Sequence, residues 1–192
     1  MTGATRRSAF LDASALYPAL LRNILMYFAV RDLFTAYWSQ RVHDEWTTAL
    51  LRDRPHLSPA AVARTRRLMD EKIDGATVGG YEHLIDTLVL PDVDDRHVLA
   101  AAIECGAGII VTANLRDFPV SVLSAYRIEP QHPDAFILGL LQTTPDEVVG
   151  AMRDLREDMT NPPMTVAALL ASMSRQGLTA SADALAAFAD AL

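Results

Sequence analysis

The sequence has few of the residues that build cysteine, histidine or lysine sites. Cys105 is the single cysteine in 192 residues, which excludes an intrachain disulfide framework and a cysteine-based zinc site. The five histidines share no metal-ligand spacing. Lys72 is the single lysine, so the other basic residues are arginines.

Long apolar runs are also absent. No stretch approaches the roughly 20 apolar residues that span a bilayer, because Arg, Asp or Pro interrupts every candidate. A single cysteine fits a reducing compartment. We therefore expect a soluble, cytoplasmic protein without a membrane partner.

Charge is unevenly distributed along the chain. The net charge is −7, but residues 1–75 carry +3 and residues 76–192 carry −10. A basic half can contact phosphates while an acidic half gathers cations. Two ordinary solvated surfaces would have the same pattern, and that alternative stays open.

The sequence predicts an α/β domain. Hydrophobic residues make up 51% of the chain, enough for a sizeable core. Ser8–Leu11 and Ile109–Thr112 are typical of buried strands, and Leu33–Trp38 of an aromatic-rich strand. Helices are predicted over Ala19–Val30 after Pro18, from the Ser39 cap to about Asp53, from Ser58-Pro59 to about Ile73, and over His97–Glu104. This alternation predicts a three-layer α/β/α sandwich with a parallel central sheet.

The pattern changes after about Pro130. Prolines separate helical stretches near residues 134–142, 145–158, 165–176 and 180–191. No cluster suited to chemistry occurs there. We therefore predict one domain over residues 1–130 and an all-helical C-terminal extension over residues 131–192.

Four acidic residues open or follow predicted elements. Asp12 and Asp117 follow the two buried strands, Glu45 lies inside the second predicted helix, and Asp95 precedes the fourth. The carboxyl ends of parallel strands meet at one sheet edge, where ligands bind. Carboxylates gathered there repel, and protons or a divalent cation must offset the repulsion. Oxygen-only ligand sets favour Mg²⁺ or Mn²⁺, which predicts metal-assisted phosphoryl chemistry.

Each acidic residue also has an ordinary structural explanation. Acids in a first helical turn stabilise the helix dipole, and we assign this capping role to Asp94 and the metal role to Asp95. Glu45 could pair with Arg41, four residues earlier, on a solvated face. Asp117 could be a turn residue. These alternatives stay open at the level of the sequence.

Four segments share their order and spacing with a known family. They are residues 10–18 (FLDASALYP), Trp38-Ser39 leading to Glu45, residues 90–102 (LPDVDDRHVLAAA) and residues 111–119 (VTANLRDFP). In them the chain resembles the PIN-domain nucleases, and among these the VapC-type toxins of bacterial toxin–antitoxin systems, over about residues 8–130. The tail resembles a helical extension found in a subset of such toxins.

The resemblance implies roles for the acidic residues. Asp12, Glu45, Asp95 and Asp117 would be the first to fourth acids, with Asp12 and Asp95 as the direct Mg²⁺ ligands. Many family members carry an acid two residues after the threonine, where this chain has Asn114. The fourth acid is therefore either shifted to Asp117 or weakened. The resemblance also implies a cognate antitoxin and a toxin homodimer.

The resulting hypothesis is a Mg²⁺-dependent endoribonuclease, with Mn²⁺ as the alternative ion, that acts as the toxin of a type II toxin–antitoxin system. One or two ions held by the four acids would activate water at an RNA phosphodiester. Arg22 and Arg41 are expected to draw in RNA, and the expected accessory residues are Asp94, Thr112 and Asn114. Two alternatives stay open: a non-catalytic nucleic-acid or protein binding module on the same fold, and a DNA-directed nuclease.

Overall fold

The structure is a computed structural model that describes residues 7–192. Residues 1–6 of the predicted first domain lie outside the described residues. In chain order the elements are β1 (Ser8–Leu11), α1 (Ala13–Leu16), α2 (Ala19–Val30), β2 (Thr35–Ser39), α3 (Gln40–Asp53), α4 (Pro59–Lys72), β3 (Thr77–Val78), α5 (Glu82–Ile85), α6 (Arg96–Glu104), β4 (Ile109–Val111), α7 (Val120–Leu123), β5 (Glu129–Gln131), α8 (Pro133–Thr143), α9 (Pro145–Asp158), α10 (Val166–Arg175) and α11 (Thr179–Ala186). Short 3₁₀ turns cover Leu115–Asp117 and Ser124–Tyr126.

The described chain divides into two compact units. The first comprises residues 7–17 and 34–131, and the second comprises residues 18–33 and 132–192. Helix α2, which the sequence places within the predicted first domain, packs on α9 and α10 of the second unit. None of the helices in residues 7–192 combines the length and apolarity needed to cross a membrane.

The first unit is built on a five-stranded parallel sheet. The strand order is β3-β2-β1-β4-β5, and each neighbouring pair is parallel. In the central strand, Phe10 lies opposite Tyr37 of β2 and Ile110 of β4. Phe10 and Ile110 are fully buried, as expected for parallel strands covered on both faces.

The predicted fold class is confirmed: a parallel central sheet with helices is followed by an all-helical C-terminal region. Strand β1 has its predicted bounds, whereas β2 begins two residues later than predicted, at Thr35. The short strands β3 and β5 were not predicted. Two or three residues carry too little periodicity to indicate a strand, and Pro130 in β5 argues against one unless the strand lies at a sheet edge, as β5 does.

Helix starts in the first unit follow their caps. Ser39 Oγ accepts a hydrogen bond of 3.2 Å from Val42 N–H, and α3 begins at the next residue as predicted. Ser58 caps α4 in the same way before Pro59. In the second unit, Pro18 lies in the N-cap position of α2, directly before the first helical residue, Ala19.

The second unit is built from helices, with one isolated β-bridge between Thr160 and Pro163 among its described residues. Its core is formed by side chains that are fully buried, among them Phe28, Phe136, Met152 and Met173. The predicted helices are found, but α11 ends at Ala186, earlier than predicted. Beyond it, Phe188 N–H bonds to Leu185 C=O, so the chain tightens into turns with i→i−3 hydrogen bonds.

Candidate metal centre

The acidic residues of the first unit meet at the carboxyl edge of its sheet. Asp12 follows the central strand β1, and Asp117 lies in the 3₁₀ turn after β4. Glu45 lies on α3, which follows β2. Strands β2, β1 and β4 are adjacent and parallel, so the segments that follow them emerge at one edge.

Asp95 shows that these carboxylates influence one another. Burial raises the pKa of the Asp95 carboxyl to about 7, and the negative charge of Asp12 acts in the same direction. The charges of Asp92, Asp117 and Glu45 also raise this pKa. Asp95 therefore lies within electrostatic range of the other three predicted acids and of Asp92.

Asp12 is held by a dense set of hydrogen bonds. Its side chain is almost fully buried, at 5% exposure. Oδ2 accepts from Ser14 Oγ at 2.6 Å and from Thr112 Oγ1 at 2.8 Å. Oδ1 accepts from Ala13 N–H at 2.7 Å, so Asp12 also caps α1. These donors hold the carboxylate in one orientation.

The two hydroxyl groups are themselves oriented by backbone amides. Ala113 N–H donates to Ser14 Oγ and Asn114 N–H donates to Thr112 Oγ1, each at 3.0 Å. Each hydroxyl thus accepts from an amide and can direct its own hydrogen to Asp12. Asn114 takes part through its backbone, while its side chain is exposed.

Glu45 is held by a buried histidine and an exposed arginine. Its Oε1 lies 2.8 Å from His97 Nε2, an ion-pair contact, and accepts a hydrogen bond from Arg41 Nε at 3.2 Å. The Arg41 pair considered from the sequence is therefore present, and His97 is added to it. Arg41 also donates from Nη2 to the carbonyl oxygen of Asp94 at 3.3 Å.

The capping role assigned to Asp94 is wrong by one residue. Asp95 occupies the N-cap position of α6, where its side chain makes no capping hydrogen bond. Asp94 lies in the preceding turn, and its N–H bonds to Asp92 Oδ1 at 2.9 Å. The Asp95 carboxylate therefore does not cap the helix. It also accepts no other hydrogen bond from the described residues.

These residues fit a hard divalent cation by their chemistry. Carboxylate oxygens are the ligands that Mg²⁺ and Mn²⁺ prefer, and a proton or a cation must offset the charge that raises the pKa of Asp95. Within residues 7–192, no three acidic, histidine or cysteine side chains lie close enough together to form a ready-made metal site. The carboxylates are therefore gathered at one sheet edge without being closed around a cation position.

The two arginines expected to contact RNA lie in different environments. Arg41 is 45% exposed beside Glu45. Arg22 belongs to the second unit and is buried, at 7% exposure. The expectation for Arg22 is not supported, because a buried guanidinium is not presented to a polynucleotide.

Sequence reasoning missed two residues that orient the acids. Ser14 follows Asp12 by two positions, a spacing that lets a serine hydroxyl bond to the residue before a short helix. His97 follows Asp95 by two positions and gives no local signal, because its partner Glu45 lies on a helix distant in sequence.

Comparisons with known proteins agree with the resemblance seen in the sequence. Residues 133–187 match the family described as VapC50 C-terminal domain. Over 97 residues the chain is 36% identical to a Mycobacterium tuberculosis protein described as "Putative ribonuclease VapC50". That alignment covers 50% of this chain and 57% of the relative, so the chain spans little more than half the length of the curated relative it matches. No solved structure matches the chain. The chain is a homologue of this VapC-type protein, and the predicted resemblance is confirmed.

Proposed function

We propose that this homologue of a protein described as a ribonuclease is a Mg²⁺-dependent endoribonuclease, with Mn²⁺ as the alternative ion. The observation that carries the proposal is the convergence of Asp12, Glu45, Asp95 and Asp117 at the carboxyl edge of the sheet, expressed in the raised pKa of Asp95. A carboxyl group whose pKa is raised by burial and by neighbouring negative charges, as that of Asp95 is, is typical of sites that bind cations or transfer protons.

Asp12 and Asp95 are the residues we propose as direct ligands. Two hydroxyl groups occupy Oδ2 of Asp12, whereas Oδ1 accepts a short bond from Ala13 N–H alone. A carboxylate oxygen has two lone pairs, so Oδ1 retains one for a cation. Asp95 makes no side-chain hydrogen bond within the described residues, so both of its oxygens are available once its proton leaves.

The other acidic residues complete the charge of the site. A bound Mg²⁺ or Mn²⁺ supplies an activated water and neutralises charge on the phosphate. Glu45 and Asp117 keep the local potential negative, which favours entry of a cation and opposes ionisation of Asp95 until a cation takes the place of its proton. Arg41 is exposed beside Glu45, where its guanidinium can contact an incoming phosphate.

The wider role is proposed from the same homology. The protein would act as the toxin of a type II toxin–antitoxin system in the cytoplasm, as a homodimer blocked by a cognate antitoxin. We further propose that residues 1–130 form the nuclease domain and residues 131–192 its helical extension. The match of residues 133–187 to a C-terminal domain family supports the second part.

Cleavage by an isosteric variant tests the activity. Asp95→Asn keeps the side-chain shape and removes the charge at a position without side-chain hydrogen bonds, so the fold should be retained. With Mg²⁺, the full-length protein should cut single-stranded RNA, and Asp95→Asn should fall to the level seen in EDTA. Asp86→Asn is the matched control, because Asp86 is an exposed aspartate after α5.

The possible results separate the alternatives. Equal RNA cleavage by the wild type and Asp95→Asn would overturn the metal-nuclease proposal. RNA binding without cleavage at any Mg²⁺ or Mn²⁺ concentration would favour a binding module on this fold. Cleavage of single-stranded DNA in preference to RNA of the same sequence and at the same salt concentration would favour a DNA-directed nuclease.

A further inference from the structure

We propose that His97 is a positioning residue, which fixes the orientation of the Glu45 carboxylate and thereby strengthens cation binding at the candidate metal centre. This inference rests on the proposed function. It concerns a residue that would touch neither the cation nor the RNA and would act through Glu45.

The contact between these residues is short and shielded from water. His97 Nε2 lies 2.8 Å from Glu45 Oε1, and the His97 side chain is 1% exposed. A carboxylate oxygen can only accept a hydrogen, so the tautomer that suits this contact carries its hydrogen on Nε2. An electrostatic contact in a poorly solvated position is stronger than one at the surface. The Oε1 atom is thereby held, and Oε2 is left for another partner.

The second nitrogen of His97 shows that packing alone does not explain this histidine. Nδ1 is buried and has no hydrogen-bond partner within residues 7–192. A buried unpartnered polar atom is unfavourable for folding, and an apolar side chain of similar size would avoid the cost. The imidazole therefore imposes a cost at Nδ1, while its Nε2 contacts Glu45.

Helix α6 gives His97 a rigid support. Residues 98–102 of this helix are buried, and the helix packs on β1, β2 and β4. Asp95 stands at the N-cap of the same helix. One buried helix therefore carries a proposed ligand and also holds Glu45, which comes from α3, so the geometry of the two acids is linked.

Arg41 is less suited to this positioning role. Its Nε contacts the same Oε1 atom at a longer distance, 3.2 Å, and its side chain is 45% exposed. Exposed ion pairs contribute little because water and salt screen them. An incoming phosphate can also compete for the guanidinium, whereas it cannot reach buried His97.

Three substitutions of His97 in the full-length protein test the inference. His97→Gln retains an N–H donor at about the reach of Nε2, His97→Asn carries a shorter amide, and His97→Leu removes the donor. The affinity for Mn²⁺ is measured by isothermal titration calorimetry. We expect His97→Leu and His97→Asn to bind Mn²⁺ about 10- to 100-fold more weakly than the wild type, the range typical of losing a residue that supports a metal site from outside it. His97→Gln should recover most of the affinity.

His43 is the matched control. It is also a fully buried histidine of the first unit, and its Nε2 contacts Asp70 at 3.1 Å. Its ring forms hydrogen bonds with Asp70 and Trp46, neither of which is one of the four acids. His43→Gln and His43→Leu should lower the melting temperature without weakening Mn²⁺ binding. Should His97→Leu fail to fold, as judged by far-UV circular dichroism, the comparison of His97→Gln with His97→Asn carries the test.

Two results would overturn the inference. One is Mn²⁺ affinity that is unchanged in both His97→Leu and His97→Asn. The other is a loss in His97→Gln as large as in His97→Asn, which would mean that the N–H donor is not what matters. If the wild type binds Mn²⁺ and cuts RNA, and His97→Leu and His97→Asn do the same, the positioning role of His97 fails while the proposed nuclease function stands. If the wild type neither binds Mn²⁺ nor cuts RNA, the proposed function fails as well.

Discussion

Thr112 Oγ1 donates a hydrogen bond of 2.8 Å to Asp12 Oδ2 across 100 positions of sequence. The two residues follow adjacent parallel strands, β4 and β1, whose pairing brings Leu11 opposite Val111. The hydroxyl group is fully buried, so the bond orients Asp12 without competition from water.

Replacing Thr112 with valine should both destabilise the protein and weaken RNA cleavage. Valine keeps the shape but removes the donor to a charged acceptor, a change that costs about 1.5–3 kcal/mol in the free energy of unfolding. Urea unfolding and RNA cleavage in Mg²⁺ measure the two effects. Thr112→Ser, which keeps the hydroxyl, should lose much less of either, and equal losses in the two variants would contradict this explanation.

The stability of the metal-free protein should depend on pH through Asp95. Its pKa is raised to about 7 in the folded protein, whereas an aspartate in an unfolded chain titrates near 4. A raised folded pKa contributes stability that is complete below the unfolded value and is lost as the pH rises through about 7. In EDTA, the wild type should therefore lose stability relative to Asp95→Asn between about pH 4 and pH 8. Melting curves of the two proteins that stay parallel over this range would refute the prediction.

Divalent cations should stabilise the protein in a way that depends on pH. Binding requires the deprotonated Asp95 carboxylate, so protons compete with the cation below about pH 7. A cation at 100 times its Kd stabilises the folded state by about 2.7 kcal/mol. The melting temperature should rise with Mn²⁺ at pH 8 and much less at pH 5. Buffers without divalent cations but of the same ionic strength control for general salt effects. An equal rise of the melting temperature at both pH values would argue against Asp95 as a ligand.

Arg41→Ala should weaken RNA binding and reduce its dependence on salt. Loss of one phosphate contact to a single strand lowers the slope of log K against log salt concentration by about 0.7. The KM for RNA, measured at several salt concentrations, reports this change. Arg67→Ala is the control, since Arg67 forms a comparable i,i+4 pair with Glu71 on α4. A similar effect in both variants would show that general charge, rather than the site, is responsible.

Asp70 should be important for stability through its acceptor oxygen rather than its charge. Its Oδ1 accepts from Trp38 Nε1 at 2.8 Å, His43 Nε2 at 3.1 Å and Thr77 Oγ1 at 2.9 Å. Asp70→Ala leaves the buried Trp38 and His43 donors unpaired, at about 1–3 kcal/mol each. Asp70→Asn keeps an acceptor oxygen and should lose far less in urea unfolding. Comparable losses would contradict the role of this oxygen.

The sequence predicted the parts of the fold that depend on local signals. Ser39 and Ser58 each carry a side-chain oxygen that caps the following helix, so α3 and α4 begin where expected. The buried strand β1 was found because each of its apolar residues faces the core. Short edge strands such as β5 were not found, because they depend on a neighbour's hydrogen bonds rather than on their own composition.

The candidate site was predictable in part. Asp12 and Asp117 follow buried strands, a position that sequence pattern alone can indicate. The capping role assigned to Asp94 was wrong, because the N-cap position of α6 falls on Asp95, whose side chain makes no capping hydrogen bond. Asp94 lies in the preceding turn, where its N–H bonds to Asp92. Arg22 was expected to contact RNA, yet the folded protein buries it.

By itself, the amino-acid order determined which side chains carry carboxylate oxygens, where α3 and α4 start and that parallel strands bring Asp12 and Asp117 to one edge. Only the tertiary structure decided how these carboxylates are held. The donors Ser14, Thr112 and His97 act on Asp12 and Glu45 through contacts that require a folded core, and two of the three contacts join distant segments. The physical reason is that hydrogen bonds and mutual charge depend on distances in space, which the spacing of residues along the chain does not specify.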